Sequence, residues 1–384
     1  MTREENCMKI GEALAAFQFE GNITECRPYG SGHINDTFLV RSRISEHSIR
    51  RYILQRMNHE IFKNPSELME NIINVTSYLR NRIIENGGDP ERETLNVVLT
   101  DKGEFYYRDT IGSYWRVYKF IEEAVSYDSV EKVEDFYQSA VAFGHFQRLL
   151  ADFPAEKLHE TIQGFHDTGA RFEVFKKAVK DDIMGRAKEA GAEIQFVLDR
   201  EALAYELGQM LKEGKLPLRV THNDTKLNNI MIDKKTGKGL CVIDLDTVMP
   251  GLAIHDFGDS IRFGANTGAE DERDLSKVSL NLELFELYTK GFIQGCAGSL
   301  TETEIEMMPA GARSMTLECG MRFLTDYLCG DTYFKIHREK HNLDRCRTQF
   351  KLVKDMEQKW NVMEDIVDRC NKQLAAGYKR ATGA

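Results

Sequence analysis

The stretch that decides the fold is Leu218-Arg-Val-Thr-His222-Asn-Asp224-Thr-Lys226-Leu-Asn-Asn229-Ile-Met-Ile-Asp233. After a turn it continues as Leu240-Cys-Val-Ile-Asp244-Leu-Asp246-Thr-Val-Met-Pro-Gly251 and His255-Asp256-Phe-Gly-Asp259-Ser-Ile-Arg262. The runs at 218–220, 230–232 and 240–243 are too brief for helices and carry β-branched residues, which predicts buried strands with polar groups at their ends. The loops between them hold the chemistry. Asp224 and Asn229 have the spacing His-x-Asp-x-x-x-x-Asn, and the next strand ends in Asp244. Phosphoryl transfer needs such a set: one carboxylate to orient the attacking hydroxyl, an amide and a second carboxylate to hold magnesium against nucleotide phosphates.

On this reading Asp224 accepts the proton of the acceptor hydroxyl, and Asn229 and Asp244 are metal ligands. Lys226 neutralises charge on the migrating group, and His222 braces the loop. Each residue also has a plainer reading, since an Asp at a strand end is commonly a turn residue. It is the combination of two strands, a short turn, a lysine and a second Asp that points to a kinase loop.

These motifs resemble the catalytic and metal-binding loops of the aminoglycoside phosphotransferase and choline kinase superfamily, cousins of the protein kinases. Within it, Thr221 to Asn229, Ile243 to Gly251 and Asp256 to Arg262 most resemble the N-acetylhexosamine 1-kinases. The resemblance implies an α+β, bilobal protein-kinase-like fold. Its small antiparallel-sheet N-terminal lobe would span residues 1–121, and its mainly helical C-terminal lobe, with catalytic loop and sugar pocket, residues 122–384. It further implies transfer of the γ-phosphoryl group of ATP, with Mg2+, to the anomeric hydroxyl of N-acetylglucosamine or N-acetylgalactosamine. The alternatives are another small-molecule kinase of the superfamily, acting on an aminoglycoside, an amino alcohol or another sugar, or a nucleotide-binding regulator without turnover.

Composition agrees with a globular protein: 384 residues, 42% hydrophobic and 29% charged. The opening residues lack the apolar run of a secretory signal and no stretch is long enough to span a bilayer, so no membrane association and a cytoplasmic location are expected. A net charge of −10 argues against a nucleic-acid partner. Eight cysteines occur without a Cys-x-x-Cys pair, so neither a local zinc site nor a redox motif is expected. Oligomeric state is not written in the sequence.

Along the chain, periodicity predicts a helix over 8–20, then strand, glycine loop and strand at 23–43. The loop Gly30-Ser31-Gly32 would cover nucleotide phosphates with backbone amides. By resemblance, His33 and Asn35 approach the sugar. The third strand carries Gln55 and Arg56 where most kinases place a phosphate-binding lysine, so Arg56 is a candidate substitute and the partner of Glu67 or Glu70 is open. A helix is expected at 66–85 and strands at 94–100, 104–108 and 113–121. The resemblance makes the segment from Phe120 to Glu123 the hinge that meets adenine, with Phe120 and Glu122 as its candidate contacts. Helices are expected at 130–150, 169–188, 192–213, 269–295, 301–328 and 343–374. Asp256 reads as a brace for the catalytic loop. In the C-terminal part, Arg322 and Tyr333 would contact the sugar; the alternative is a salt-bridging arginine and a core aromatic.

Overall fold

The computed structural model describes residues 3–30, 34–127, 130 and 132–382, with side chains from 9 to 376. Ser31, Gly32 and His33, three of the candidate site residues, lie outside the described residues. The chain divides into two compact units. The N-terminal unit comprises Met1–Ala124, Leu158–Gln163 and Leu240–Val248; the C-terminal unit comprises Val125–Lys157, Gly164–Gly239 and Met249–Ala384.

In the N-terminal unit, α1 (Arg3–Ala16) precedes β1 (Asn22–Pro28), β2 (Asp36–Ser45) and β3 (Ser48–Met57). Then come α2 (Pro65–Glu85), α3 (Pro90–Glu93), β4 (Val97–Val98), β5 (Tyr107–Arg108) and β6 (Tyr114–Lys119). The six strands form one antiparallel sheet in the order β1-β2-β3-β6-β4, with β5 beside β6. Alternation explains the sheet: Phe38, Val40, Tyr52, Leu54, Trp115 and Val117 are buried in one core with Ala13 and Phe17 of the N-terminal segment. Helix α2 starts at Pro65, whose missing N–H costs nothing in the first turn, and ends at Asn86 followed by Gly87 with φ 74°.

After β7 (Ala124–Val125), the chain is mainly helical: α4 (Val133–Leu149), α5 (Thr168–Asp181), α6 (Gly191–Leu198) and α7 (Glu201–Lys212). Strands β8 (Arg219–Thr221), β9 (Ile230–Asp233) and β10 (Gly239–Val242) follow the predicted short runs, and β11 (Met249–Gly251) is a further strand that no predicted run covers. Helices α8 (Ala253–Gly264), α9 (Leu282–Cys296), α10 (Glu302–Glu306), α11 (Met308–Leu328), α12 (His341–Gln358) and α13 (Trp360–Thr382) complete the fold. β8 pairs antiparallel with β11, Met249 opposite Thr221. α4 and α9 approach through glycines, since a Cβ on Gly144 would stand 2.3 Å from the Phe292 carbonyl oxygen. A second core gathers Phe172, Phe175, Leu317, Met321, Leu324 and Phe350.

The fold is therefore α+β, an antiparallel sheet region followed by a helical one, as expected. Several helix expectations need correction, and the helix expected at 169–188 already ends at Asp181, where Asp182 turns left-handed. The helix expected at 192–213 breaks between α6 and α7, where the Arg200 guanidinium donates to the Phe196 carbonyl and to Glu357. That at 301–328 breaks at Met307, because Pro309 can open a helix but not continue one. The stretch 269–281 is irregular, with Asn281 capping α9 through its side chain. The last helix is interrupted at Lys359. The strands expected at 94–100 and 104–108 shrink to two residues each. Asn96 is the cause at the first, since its side-chain amide takes the Pro90 and Thr94 carbonyls.

Candidate active site

Between β8 and β9 the chain follows no regular ladder. Asn223 has φ 64°, and residues Leu227–Asn229 make a single 3-10 turn. Backbone donors in such a segment need side-chain partners. Asp256 on α8 supplies them, accepting from the N–H groups of His222 (2.9 Å) and Asn223 (2.7 Å) and from the Gln147 amide (2.7 Å). Burial pushes the Asp256 carboxyl up, and the hydrogen bonds donated by the His222 and Asn223 N–H groups and by Gln147 work against that. Asp259 accepts from Thr225 N–H (3.2 Å), and Ser260 donates to the Thr225 carbonyl (2.7 Å). The buried His222 ring takes the Asp224 N–H on Nδ1 (3.3 Å), edge-on to Phe143 and Phe146.

The loop so held presents Asp224, Lys226 and Asn229 together. Lys226 Nζ lies 2.7 Å from Asp224 Oδ1, and the Asn229 amide donates to the Asp224 carbonyl (2.8 Å) and to its Oδ2 (3.3 Å). Burial pulls the Lys226 ammonium down, but Asp224 and Asp259 outweigh it and hold it above the usual lysine value. Asp224 keeps about a quarter of its side chain open to solvent, so the carboxylate can meet a small molecule.

Two further residues support this loop and carried no signal in the sequence. His166 links Nδ1 to Glu318 Oε1 (2.8 Å) and Nε2 to the carbonyl of Asn223 (3.1 Å). Both partners are acceptors once Glu318 is ionised, so the ring is doubly protonated. Burial lowers His166, but the Glu318 charge and both hydrogen bonds overcome it and leave it above the usual histidine value. Burial in turn raises Glu318, and His166 outweighs that, holding the carboxyl at about 2.

In the same unit Arg322 and Tyr333 lie together, lining a cavity of about 170 Å³ with Arg171, Met321 and Phe334. The Arg322 guanidinium lies 5.4 Å from the Phe165 ring centre and 5.6 Å from that of Phe334. Asp326 shapes the wall, its carboxylate accepting the N–H groups of Thr332, Tyr333 and Phe334.

In the N-terminal unit, Gly30 (φ 83°) opens the glycine loop in a conformation that disfavours any side chain. Arg56 is ion-paired with Asp36 rather than free. The buried cation sits one strand over: Arg116 Nε donates to Gln55 Oε1 (3.0 Å) and its Nη1 lies 2.5 Å from Asp246 Oδ1. Asn35 joins the same group, donating to Asp246 Oδ2 (2.7 Å) and accepting from Asn58 N–H (2.9 Å). The strand has ended before Asp244, which is left-handed (φ 57°, ψ 59°) and opens a 3-10 turn, so Asp246 turns inward. Glu70 finds His159 as its partner, 3.0 Å away. At the expected hinge, Phe120 N–H donates to the Arg51 carbonyl (3.1 Å), and the Arg51 guanidinium lies over the Phe120 ring. Glu122 pairs with Arg51, and its carbonyl accepts from Arg92 (3.0 Å).

The chain belongs to the phosphotransferase enzyme family, whose family model matches residues 25–280. Solved structures similar to it include an aminoglycoside phosphotransferase from Alicyclobacillus acidocaldarius (TM-score 0.59, 11% identity, covering 94% of this chain and 96% of that one). A choline kinase from Cryptosporidium parvum gives TM-score 0.56 at 15% identity, covering 94% and 97%. An amicoumacin kinase in complex with AMP-PNP, Ca2+ and its ligand gives 0.57 at 13%, covering 94% and 96%. At these identities the likeness is one of fold.

Proposed function

We propose that this phosphotransferase is an ATP- and Mg2+-dependent small-molecule kinase acting on the anomeric hydroxyl of an N-acetylhexosamine. The observation that carries the reading is the braced loop presenting Asp224, Lys226 and Asn229, in the unit that also holds the Arg322 and Tyr333 cavity. Asp224 takes the proton as the sugar oxygen bonds to the γ-phosphorus and the bond to the ADP oxygen breaks, while Lys226 offsets charge on the transferred group. The donor set suits magnesium. Asn229 commits its amide nitrogen to Asp224, leaving an oxygen that no hydrogen bond among the described residues reaches. By the motif it shares with the family, Asp244, in the N-terminal unit, would supply a hard carboxylate. No group of three His, Cys, Asp or Glu side chains among the described residues could hold a metal by itself, in keeping with an ion bound by one or two protein oxygens plus phosphates. When bound, the ion would neutralise phosphate charge.

The test offers magnesium ATP with N-acetylglucosamine or its methyl 1-glycoside. The free sugar should be consumed and the glycoside not; equal turnover would remove phosphorylation at C1. Asp224→Ala should lower kcat by at least ~100-fold, the scale of a general base. Turnover of choline or an aminoglycoside in place of the sugar would move the assignment to another small-molecule kinase.

A further inference from the structure

The cavity beside Arg322 carries more positive charge than its walls neutralise. Arg171 on α5 donates from Nη2 to the Phe165 carbonyl (3.2 Å), and its buried Nε has no hydrogen-bond partner. Arg322 on α11 makes one long bond to the Tyr333 hydroxyl (3.5 Å) and otherwise faces the rings of Phe165, Tyr333 and Phe334. Among the described residues, neither arginine has a carboxylate within ion-pair distance. Arg186, Arg200, Arg219, Arg262 and Arg313 of the same unit each hold one.

The nearby acids are already engaged. Asp326 lines the cavity, but its oxygens serve three backbone N–H groups and the Asn342 amide (2.9 Å). Glu318, one turn before Arg322, is held by His166 and by the Thr168 hydroxyl (2.7 Å). Burial lowers the Arg171 pKa, and the like charge of Arg322 lowers it further. Glu318 and Asp167 offset this only in part, and two neighbouring guanidinium groups with no carboxylate at ion-pair distance are unfavourable in a half-buried site, which a ligand anion relieves. Val174, Met321, Cys329 and Phe334 supply apolar walls that keep such an ion pair from full screening.

We infer that Arg171 and Arg322 form a subsite for an anionic group, a carboxylate, sulfate or phosphate, carried by the acceptor, so that an acidic sugar is taken in preference to a neutral one. A guanidinium fork presents two parallel N–H donors that fit a pair of oxygens on any of these groups. The inference rests on the proposed function only in placing the acceptor in this cavity. A volume of about 170 Å³ lies below the ~300–1,000 Å³ of drug-sized pockets, which restricts the bound part to a small acceptor or one end of a larger one.

Calorimetry and initial rates with four sugars test this: N-acetylglucosamine, its 6-phosphate, its 6-sulfate and the corresponding uronic acid. At least one acidic sugar should bind the wild-type protein about 10- to 100-fold more tightly than the neutral one, the range of a charge-assisted hydrogen bond. The three acids distinguish phosphate from sulfate from carboxylate. Arg171→Met and Arg322→Met should each collapse that ratio toward one, and Arg171→Lys should restore part of it. Wild-type protein that binds the neutral sugar as tightly as all three acids would overturn the inference, whether or not the variants fold. Acid binding without phosphorylation of any sugar would leave the subsite standing and remove the kinase reading. Phosphorylation of the neutral sugar with no acid preference would do the reverse.

Discussion

Replacing Arg116 by Met should destabilise the N-terminal unit severely. Arg116 and Asp246 are 1% and 3% exposed, and their charged atoms are 2.5 Å apart. Burial lowers the Arg116 pKa, and Asp246 and Tyr118 reverse that and carry it above the ordinary value. With the arginine gone, the Asp246 carboxylate keeps, among the described residues of the N-terminal unit, only the Asn35 amide as a donor. Stranding one member of a buried pair costs ~3–5 kcal/mol. At roughly 2–4 °C per kcal/mol, the midpoint should fall by about 6–20 °C.

The assay can be confined to one unit. The protein has two tryptophans, and Trp115 is buried in the sheet core with Arg56 5.9 Å over its ring. In a Trp360→Phe background, fluorescence therefore reports the N-terminal unit. Asp246→Leu alone should also destabilise, because it leaves the arginine buried beside Gln55. The double variant Arg116→Met with Asp246→Leu should recover most of the loss, since a buried pair exchanged for apolar residues is often neutral or better. Costs of the single variants that simply add, within about 0.5 kcal/mol, would refute the coupling.

Two other perturbations follow. The Glu318 and His166 pair gives stability a pH window: Glu318, held at about 2 against an ordinary 4.5, contributes fully above pH 4.5 and loses its contribution as pH falls from there. His166, held above 6.5, contributes fully below that value and loses its part as pH rises through its folded value. His255, pushed by burial to about 3, acts oppositely and weakens the fold below pH 6.5. The melting difference between wild type and a variant with Gln at 166 (His166→Gln) should therefore be largest between about 4.5 and 6.5 and shrink in alkali; a difference flat with pH would reject the imidazolium. In the helical core, Gly144→Ala should destabilise by ~1–3 kcal/mol because its methyl would meet the Phe292 carbonyl oxygen at 2.3 Å. Gly208→Ala, where nothing lies within 4 Å, should stabilise by ~0.4–1 kcal/mol. Calorimetric melting separates the two, and equal shifts would rule out the close helix contact.

How much of this was legible follows from sequence distance. Asp224, Lys226 and Asn229 lie within six residues, so their clustering could be read from spacing alone, and β8, β9 and β10 were visible as short runs. Asp256 is 33 residues from the Asn223 N–H that it accepts, yet a known motif pointed to it. His166 and Glu318 are 152 residues apart, and neither residue type is unusual where it stands. Arg116 sits in an apolar, aromatic strand, where an arginine reads as an edge residue until Asp246 is seen opposite it. Helix breaks failed for a related reason, because periodicity persists across a one-residue interruption such as Met307 or Lys359.

The braces, those read from the sequence and those missed alike, share a physical cause. Asp224 stands on a loop, and Asp244 on a left-handed residue opening a single turn. Neither segment has a ladder to satisfy its backbone or fix its shape. Each is instead held by charged or polar side chains from elements remote in sequence: Asp256, Asp259 and His166 for the first, Asn35 and Arg116 through Asp246 for the second. A carboxylate that must stay open to solvent cannot be packed in place, so its position has to be fixed through the neighbouring backbone. On the proposed function, substituting these braces should therefore change kcat more than the affinity for either substrate, because they would then control the placement of a reacting group.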